Sequence, residues 1–367
     1  MLGFSNPSKQ FESYKDEIEL AIQGVIRGNQ YINGKEVEKI EKNFAKFIDS
    51  KFAIGVANGT DALEISLRAL NIGPGDEVIT TTHTAVATVS AIESVGAKPV
   101  LTDINKTSYT INNDQFDELL NNRTKAIIPV HIYGNAANVD HCINYCSNNN
   151  LHMIEDVSQA HGGKINDIRL GNIGNISCYS CYPTKNLGAL GDAGLITTND
   201  LKLEKKIRMI REYGWDKRYV SELCGRNSRL DEVQAAVLNV KLKYLDNDNK
   251  RRIEIAKTYS EELSGITELS LPEKKSNVLH VYHLYVIQTS LRDKLKEYLF
   301  EKKISTGIHY PIPIHLQPAY KDRIAKAKDM SVSELAAKEI MSLPIYPELE
   351  MKDVLYVCDT IKDFFKK

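Results

Sequence analysis

The chain reads as an α/β protein built on a mostly parallel sheet, followed by a smaller α+β portion. Three observations predict this. Apolar strand-length runs alternate with helical patterns from residue 50 to about residue 200. The strand runs are apolar throughout, as burial on both faces requires. The length, 367 residues, suits one large domain and a smaller one.

The elements follow in order. Residues 1–50 read as helices, and EVEKIEKNFAKFI carries an apolar stripe at helical spacing. KFAIGVA is a strand, and DALEISLRAL is a helix with Leu63, Leu67 and Leu70 on one face. DEVITT, KPVLTDI, TKAIIPVHI and LHMIEDV are strands; AVATVSAIESV, NNDQFDELL and VDHCINYCSNN are the helices between them. ISCYSCY and AGLITTN continue the strands, and SRLDEVQAAVLNVKLKYL is a long helix. The strand VLHVYHLYVI and the helix LRDKLKEYLFEKK belong to the smaller portion. The polar stretch DNDNKRR suggests a soft boundary, giving a large domain over 1–248 and a small one over 249–367.

Composition excludes several classes. The net charge is −1 and no basic block stands out, which gives a nucleic-acid partner no electrostatic support. No apolar run reaches membrane-spanning length, and the polar N-terminus lacks a signal-peptide core, so a cytoplasmic enzyme is expected. Six cysteines in a chain this long do not suggest a disulfide scaffold. Cys178 and Cys181 are three apart on a strand, as are His280 and His283, so each pair points to opposite faces and no metal site is expected. Neither GxxxxGK[ST] nor GxGxxG is present.

Three places could share one site. Asn58-Gly59-Thr60-Asp61 opens a helix directly after a strand, where free backbone amides suit a phosphate. Gly59 permits close approach, and Thr60 is either a ligand or simply the helix cap. Asp156 ends a buried strand at the crevice side of the sheet, with Gln159 and His161 just beyond. Lys185 lies in the glycine-lined loop YPTKNLGALGDAG, with Ser180 on the strand before it. A lysine desolvated in a cleft loses its proton easily and can attack a carbonyl. A phosphate cradle, an acid for a pyridinium nitrogen and such a lysine are what a pyridoxal phosphate enzyme needs.

With these residues in place, seven stretches resemble the DegT/DnrJ/EryC1/StrS sugar aminotransferases: ANGTDALEISLRAL, GDEVITTTHTAVAT, HIYGNAANVD, IEDVSQAHG, YPTKNLGALGDAG, GRNSRLDEVQAAVL and GIHYPIPIHLQPAY. The resemblance implies the aspartate aminotransferase (type I) fold, a homodimer and pyridoxal 5'-phosphate linked covalently to Lys185. It implies Asp156 on the pyridine nitrogen, Gln159 against the ring, and Gly59, Thr60 and Ser180 on the phosphate. Asn227 would reach the phosphate of the neighbouring subunit's cofactor, although Ser228 and Asp231 also look like a local helix start. Many relatives stack an aromatic on the ring two positions after His83; Ala85 stands there, which makes His83 the substitute candidate. A few relatives replace the lysine by histidine and remove a hydroxyl, but Lys185 is intact. GIHYPIPIHLQPAY looks most like the branch that aminates C3 of a dTDP-linked 3-keto-6-deoxyhexose with L-glutamate as donor. His309, Tyr310 and His315 are then the substrate-side candidates. C4 amination, an aminocyclitol acceptor and a ligand-sensing regulator are the alternatives.

Overall fold

The computed structural model describes residues 1–366. Three N-terminal helices, α1 (Pro7–Ser13), α2 (Lys15–Ile26) and α3 (Lys35–Ile48), lead into the alternating region. There follow β1 (Phe52–Val56), α4 (Gly59–Ala69), β2 (Glu77–Thr81), α5 (Ala87–Ser94), β3 (Lys98–Thr102), α6 (Phe116–Leu119), β4 (Thr124–Ile128), α7 (Val139–Asn148) and β5 (His152–Asp156). A small hairpin of β6 (Lys164–Ile165) and β7 (Ile168–Arg169) precedes β8 (Ile176–Ser180), β9 (Gly194–Thr198) and α8 (Leu201–Arg211). Next come the hairpin β10 (Trp215–Lys217) and β11 (Val220–Ser221), then α9 (Glu232–Leu242) and α10 (Leu245–Leu263). The last portion holds β12 (Val278–Leu279), β13 (Tyr285–Gln288), α11 (Arg292–Glu301), β14 (Ala325–Lys326), α12 (Ser331–Glu339), β15 (Ile340–Leu343) and α13 (Met351–Phe365).

The main sheet has the order β1-β9-β8-β5-β4-β2-β3-β14. Every strand points the same way except β9, which runs antiparallel to both β1 and β8. Burial on both faces is explicit at neighbouring residues. Ile127, Met153, Tyr179 and Leu195 enter one apolar cluster, whereas Ile128, Ile154, Cys178 and Ile196 enter the other. Successive strand residues alternate faces, so a strand covered by helices on both sides must be apolar throughout. A third cluster, with Tyr259, Tyr285, Leu299, Met341 and Val357, forms the core of the C-terminal portion.

Three sequence expectations are corrected. NNDQFDELL forms a short 3-10 turn over Asn113–Gln115 and a single turn at α6, because Asn112 caps the turn through its side chain. VLHVYHLYVI is broken: β12 pairs with β6, β13 pairs with β15, and residues 280–284 join no ladder. The carbonyls of Tyr282 and His283 instead accept from the buried Arg252 guanidinium, at 3.3 and 3.5 Å. His280 and His283 are thus separated by an irregular segment, not by strand alternation. Third, the long helix stops at Leu242 and restarts at Leu245, and DNDNKRR lies inside α10. Its Asp248, Asn249 and Arg252 are buried and hydrogen-bonded, so its polarity serves the interior. The division at 248/249 falls within this continuous helix, along which Leu245 packs in the first cluster and Ile255 in the third.

The start of α3 is capped from a distance. Gly34, its N-cap, has no side chain to offer. The Glu232 carboxylate, at the start of α9, accepts from the amides of Gly34 (2.7 Å), Glu36 (3.0 Å) and Val37 (3.0 Å). Glu232 is buried, so its loss leaves three orphan donors. Glu232→Ala will cost about 2 kcal/mol or more, read as a lower urea midpoint at unchanged slope.

Candidate active site

The site lies at the carboxyl ends of the parallel strands, where open α/β sheets place ligands. A cavity of about 580 Å³ is lined by Gly59, Thr60, Asp156, Gln159, Ser180 and Lys185, all named from the sequence.

The phosphate end is built by α4 pressed against two strands. Asn58, not Thr60, caps the helix: its Oδ1 accepts from Asp61 N at 2.8 Å. Thr60 is thereby free to line the cavity. A Cβ at Gly59 would stand 2.5 Å from Ser180 Cβ, and one at Gly194 would stand 2.4 Å from the Asn58 carbonyl oxygen. Only glycine allows the helix start to sit this deep. Ser180 Oγ accepts from Tyr182 N at 3.3 Å, which leaves its own proton for an anion. Asp61 carries a charge at the same helix start, and Arg226 pairs with it at 3.1 Å.

Asp156 ends β5, buried but rimming the cavity. Its carboxylate accepts from Thr88 Oγ1 and Ser158 N, both at 3.1 Å. These two donors fix the direction of the carboxylate. Gln159 is held between Tyr133 N, which donates to its Oε1 at 2.8 Å, and the Tyr310 hydroxyl, 3.2 Å from its Nε2. Burial pushes the Tyr310 phenol up to about 12, and the Asp156 charge adds to this.

Lys185 opens from the loop between β8 and β9. The loop is pinned by Ala189 N to Cys181 O (2.8 Å), Lys241 Nζ to Gly188 O (2.7 Å) and Leu190 N to Gln234 Oε1 (2.9 Å). Burial lowers the Lys185 ammonium to about 8, against the opposing pull of Asp156 and then Cys181. About a tenth is then a neutral, nucleophilic amine at pH 7, far more than for an exposed lysine.

The remaining candidates lie elsewhere. His83 is buried beside the cavity, its Nε2 on the Tyr133 hydroxyl and its pKa lowered to about 4 by burial and then by His309. Ala85, not His83, reaches the cavity wall, so the expected ring stack by His83 does not match its placement. His315 is buried with both ring nitrogens engaged, on Thr82 Oγ1 (2.7 Å) and Glu334 Oε1 (3.1 Å), and does not line the cavity. His309 bonds Ser342 Oγ at 2.9 Å and offers its carbonyl to the Tyr133 hydroxyl, and Tyr310 hydrogen-bonds the cavity residue Gln159. Asn227 is exposed and outside the cavity. The helix start expected beside it is there, since α9 opens at Glu232 with Asp231 as its N-cap, but without capping-box bonds: Asp231 makes no side-chain cap bond, and Ser228 Oγ accepts from Ala57 N at 3.2 Å. Ser158, Tyr182, Thr84 and Asp192 also line the cavity and were missed. Ser158, two after Asp156, had a usable signal in its position between two named residues.

These residues fit pyridoxal 5'-phosphate. A glycine-cleared helix start and a free hydroxyl suit its phosphate, a fixed carboxylate suits its ring nitrogen, and a desolvated amine suits its aldehyde.

The comparisons agree. Residues 12–362 match the family model described as the DegT/DnrJ/EryC1/StrS aminotransferase family. A dTDP-3-amino-3,6-dideoxy-alpha-D-galactopyranose transaminase of Aneurinibacillus thermoaerophilus is 42% identical over 96% of this chain and 96% of its own length. A UDP-2-acetamido-2-deoxy-3-oxo-D-glucuronate aminotransferase of Pseudomonas aeruginosa is 38% identical, covering 98% and 99%. A pleiotropic regulatory protein of Geobacillus stearothermophilus is 41% identical, covering 98% and 97%. Among solved structures, Streptomyces venezuelae DesV in complex with a ketimine intermediate superposes with a TM-score of 0.97 at 37% identity, covering 100% of this chain and 99% of that one.

In cofactor-free protein, acetylation of Lys185 by a small anhydride will half-titrate near pH 8, read by peptide mass spectrometry. Asp156→Asn removes a charge that favours the ammonium, so its midpoint will lie lower still.

Proposed function

The chain belongs to the DegT/DnrJ/EryC1/StrS aminotransferase family, and from that premise we propose that it moves the amino group of L-glutamate to C3 of a dTDP-linked 3-keto-6-deoxyhexose. The observation that carries this reading is one cavity shared by the Lys185 amine, the Asp156 carboxylate and the open start of α4.

When bound, pyridoxal 5'-phosphate supplies a ring that takes up the electrons released at the donor's α-carbon. The chain's residues do the rest. Lys185 Nζ takes the proton from that carbon as general base and later returns one to the sugar carbon that gains the amine. Asp156 keeps a proton on the ring nitrogen, and Gln159 lies against the ring near its hydroxyl. Gly59, Thr60 and Ser180 hold the phosphate. In a homodimer, Asn227 of one subunit reaches the phosphate site of the other. His309 and Tyr310 face the sugar side, with Tyr310 reaching the site through Gln159. The enzyme works in the cytoplasm, on a ping-pong cycle with two half-reactions.

C3 is supported by the names of two relatives, one for a 3-amino dTDP sugar and one for a 3-oxo UDP sugar. The dTDP carrier is supported by the look of 307–320 and by the dTDP relative at 42% identity. The second reading, a ligand-sensing regulator, draws on the name of the Geobacillus relative; sustained turnover would set it aside.

Visible absorbance tests the proposal. The band of the loaded enzyme will fall with L-glutamate and return with dTDP-3-keto-6-deoxyglucose. Preference for the matched 4-keto sugar would overturn C3. Lys185→Ala will lose at least ~10³-fold in turnover, since it removes both the general base and the nucleophile; near-normal turnover would remove Lys185 from the mechanism.

A further inference from the structure

Tyr133 spends every polar atom it has. It is buried just past β4, in a left-handed conformation (φ 61°) that bulky residues seldom hold. Its amide donates to Gln159 Oε1 at 2.8 Å, and its carbonyl accepts from Leu284 N at 3.2 Å. Its hydroxyl donates to the His309 carbonyl and also meets His83 Nε2. Gly134 lets the chain pass: a Cβ there would stand 2.8 Å from the amides of Tyr282 and His283. Leu284 and His309 belong to the C-terminal portion, whereas His83 follows β2 and Gln159 follows β5. A strained backbone persists where its surroundings over-determine it, and here four segments do.

The directions of these bonds follow from what each group can do. A backbone amide only donates, so Gln159 turns Oε1 to Tyr133 and Nε2 to the Tyr310 hydroxyl, 3.2 Å away. Tyr310 therefore accepts from Gln159 and keeps its own proton out of that bond. A carbonyl only accepts, so the one hydroxyl proton of Tyr133 goes to His309. His83 must then donate from Nε2, and its Nδ1, which has no partner among the described residues, carries the bare lone pair. Burial and then His309 lower this imidazole to about 4, so it stays uncharged. A closed ring results, running from the Tyr133 amide through Gln159, Tyr310 and the His309 carbonyl to the Tyr133 hydroxyl. The far end of the segment is held separately, by Ile314 N on the Thr82 carbonyl at 3.1 Å and by His315 on Thr82 Oγ1.

We propose that Tyr133 is a positioning residue for the acceptor half-reaction, holding His309 and Tyr310 in register with Gln159 so that the Tyr310 hydroxyl is left as a donor for an oxygen of the sugar. Tyr133 itself does not line the cavity. It acts through Tyr310, and its hydroxyl and amide divide the work. The amide orients the residue on the ring side, and the hydroxyl holds the segment on the sugar side. His83 sets the direction of that hydroxyl, which gives a function to a ring that does not stack on the cofactor. The kinetic role rests on Tyr310 facing the sugar, as proposed above; the hold on His309 does not.

Tyr133→Phe tests this, since it removes the hydroxyl but keeps the ring contacts with His83 and Tyr109 and the amide that orients Gln159. Visible absorbance of loaded enzyme follows the two half-reactions, one with L-glutamate and one with dTDP-3-keto-6-deoxyglucose. The apparent KM for the sugar should rise about fivefold, the worth of one hydrogen bond, and the ratio of the two half-reaction efficiencies should shift toward glutamate by the same factor. In a Tyr310→Phe background the same change should cost less than about twofold, because one residue acts through the other. Equal losses in both half-reactions, or additive losses in the double variant, would overturn the proposal. Hydrogen exchange of loaded enzyme without sugar reads the hold itself. The Gly307 amide, bonded to the Ser342 carbonyl at 3.1 Å, should exchange severalfold faster in Tyr133→Phe, while the Ile314 amide keeps its rate. Unchanged exchange at Gly307 would overturn the hold and the proposal with it. His83→Leu should move both readouts the same way by a smaller factor, and it serves if Tyr133→Phe folds poorly. A wild type that does not react with this sugar would count against the acceptor reading, and exchange at Gly307 would still decide the fate of Tyr133.

Discussion

The active site depends on how closely one helix start can approach two strands. At Gly59 and Gly194 the first turn of α4 lies on β8 and β9 with no room for a methyl group. This contact aims the free amides of the turn into the crevice and sets Ser180 beside them. It also fixes the distance from phosphate cradle to Asp156, since β5 and β8 are neighbours in the sheet. Asn58 supports the arrangement by taking over the capping duty, so Thr60 keeps its donors for a ligand. A modest loss of stability at these glycines is traded for a preorganised anion site.

The second constraint is dielectric. Lys185, Lys241 and Arg252 are three cations whose pKa values burial lowers, to about 8, about 8 and about 10. Each is anchored differently. Lys241 and Arg252 spend their protons on carbonyls and Gln10, and so hold loops in place. Lys185 makes no such bond through its amine among those described, and this leaves it available for chemistry. Two buried histidines, His161 and His283, and the half-buried His309 are kept neutral around it by burial and by its charge. A neutral lining of this kind strengthens every remaining charge interaction in the pocket, that with Asp156 above all.

Much of this was legible in the sequence, and the limits have physical causes. Strand-length apolar runs exposed the sheet because two-sided burial leaves a run with no polar interruption. The cavity residues Gly59, Asp156 and Lys185 were legible because each sits at a strand end with a chemistry its neighbours lack. The family resemblance added roles, but not positions. It could not show that His315 would spend both nitrogens on Thr82 and Glu334, or that His83 would turn to Tyr133. Those outcomes depend on partners 19, 50 and 233 residues away, beyond any local pattern. DNDNKRR misled for the same reason. Polar residues imply solvent only when no distant carbonyl or carboxylate claims them, and Asn249 and Arg252 are so claimed.

The single reversed strand has a consequence of its own. A parallel successor to β8 would need a long crossover to carry the chain back to the other end of the sheet. Because β9 is antiparallel, residues 181–193 leave and re-enter the sheet at one rim, on adjacent strands. The segment bearing Lys185 is thus a bridge between two neighbouring posts, and its span is insensitive to its length. Strand register is therefore set by the sheet alone, while the shape of the reactive segment is set separately, by its own three hydrogen-bonded pins and by the crowding of Gly188 against Pro183.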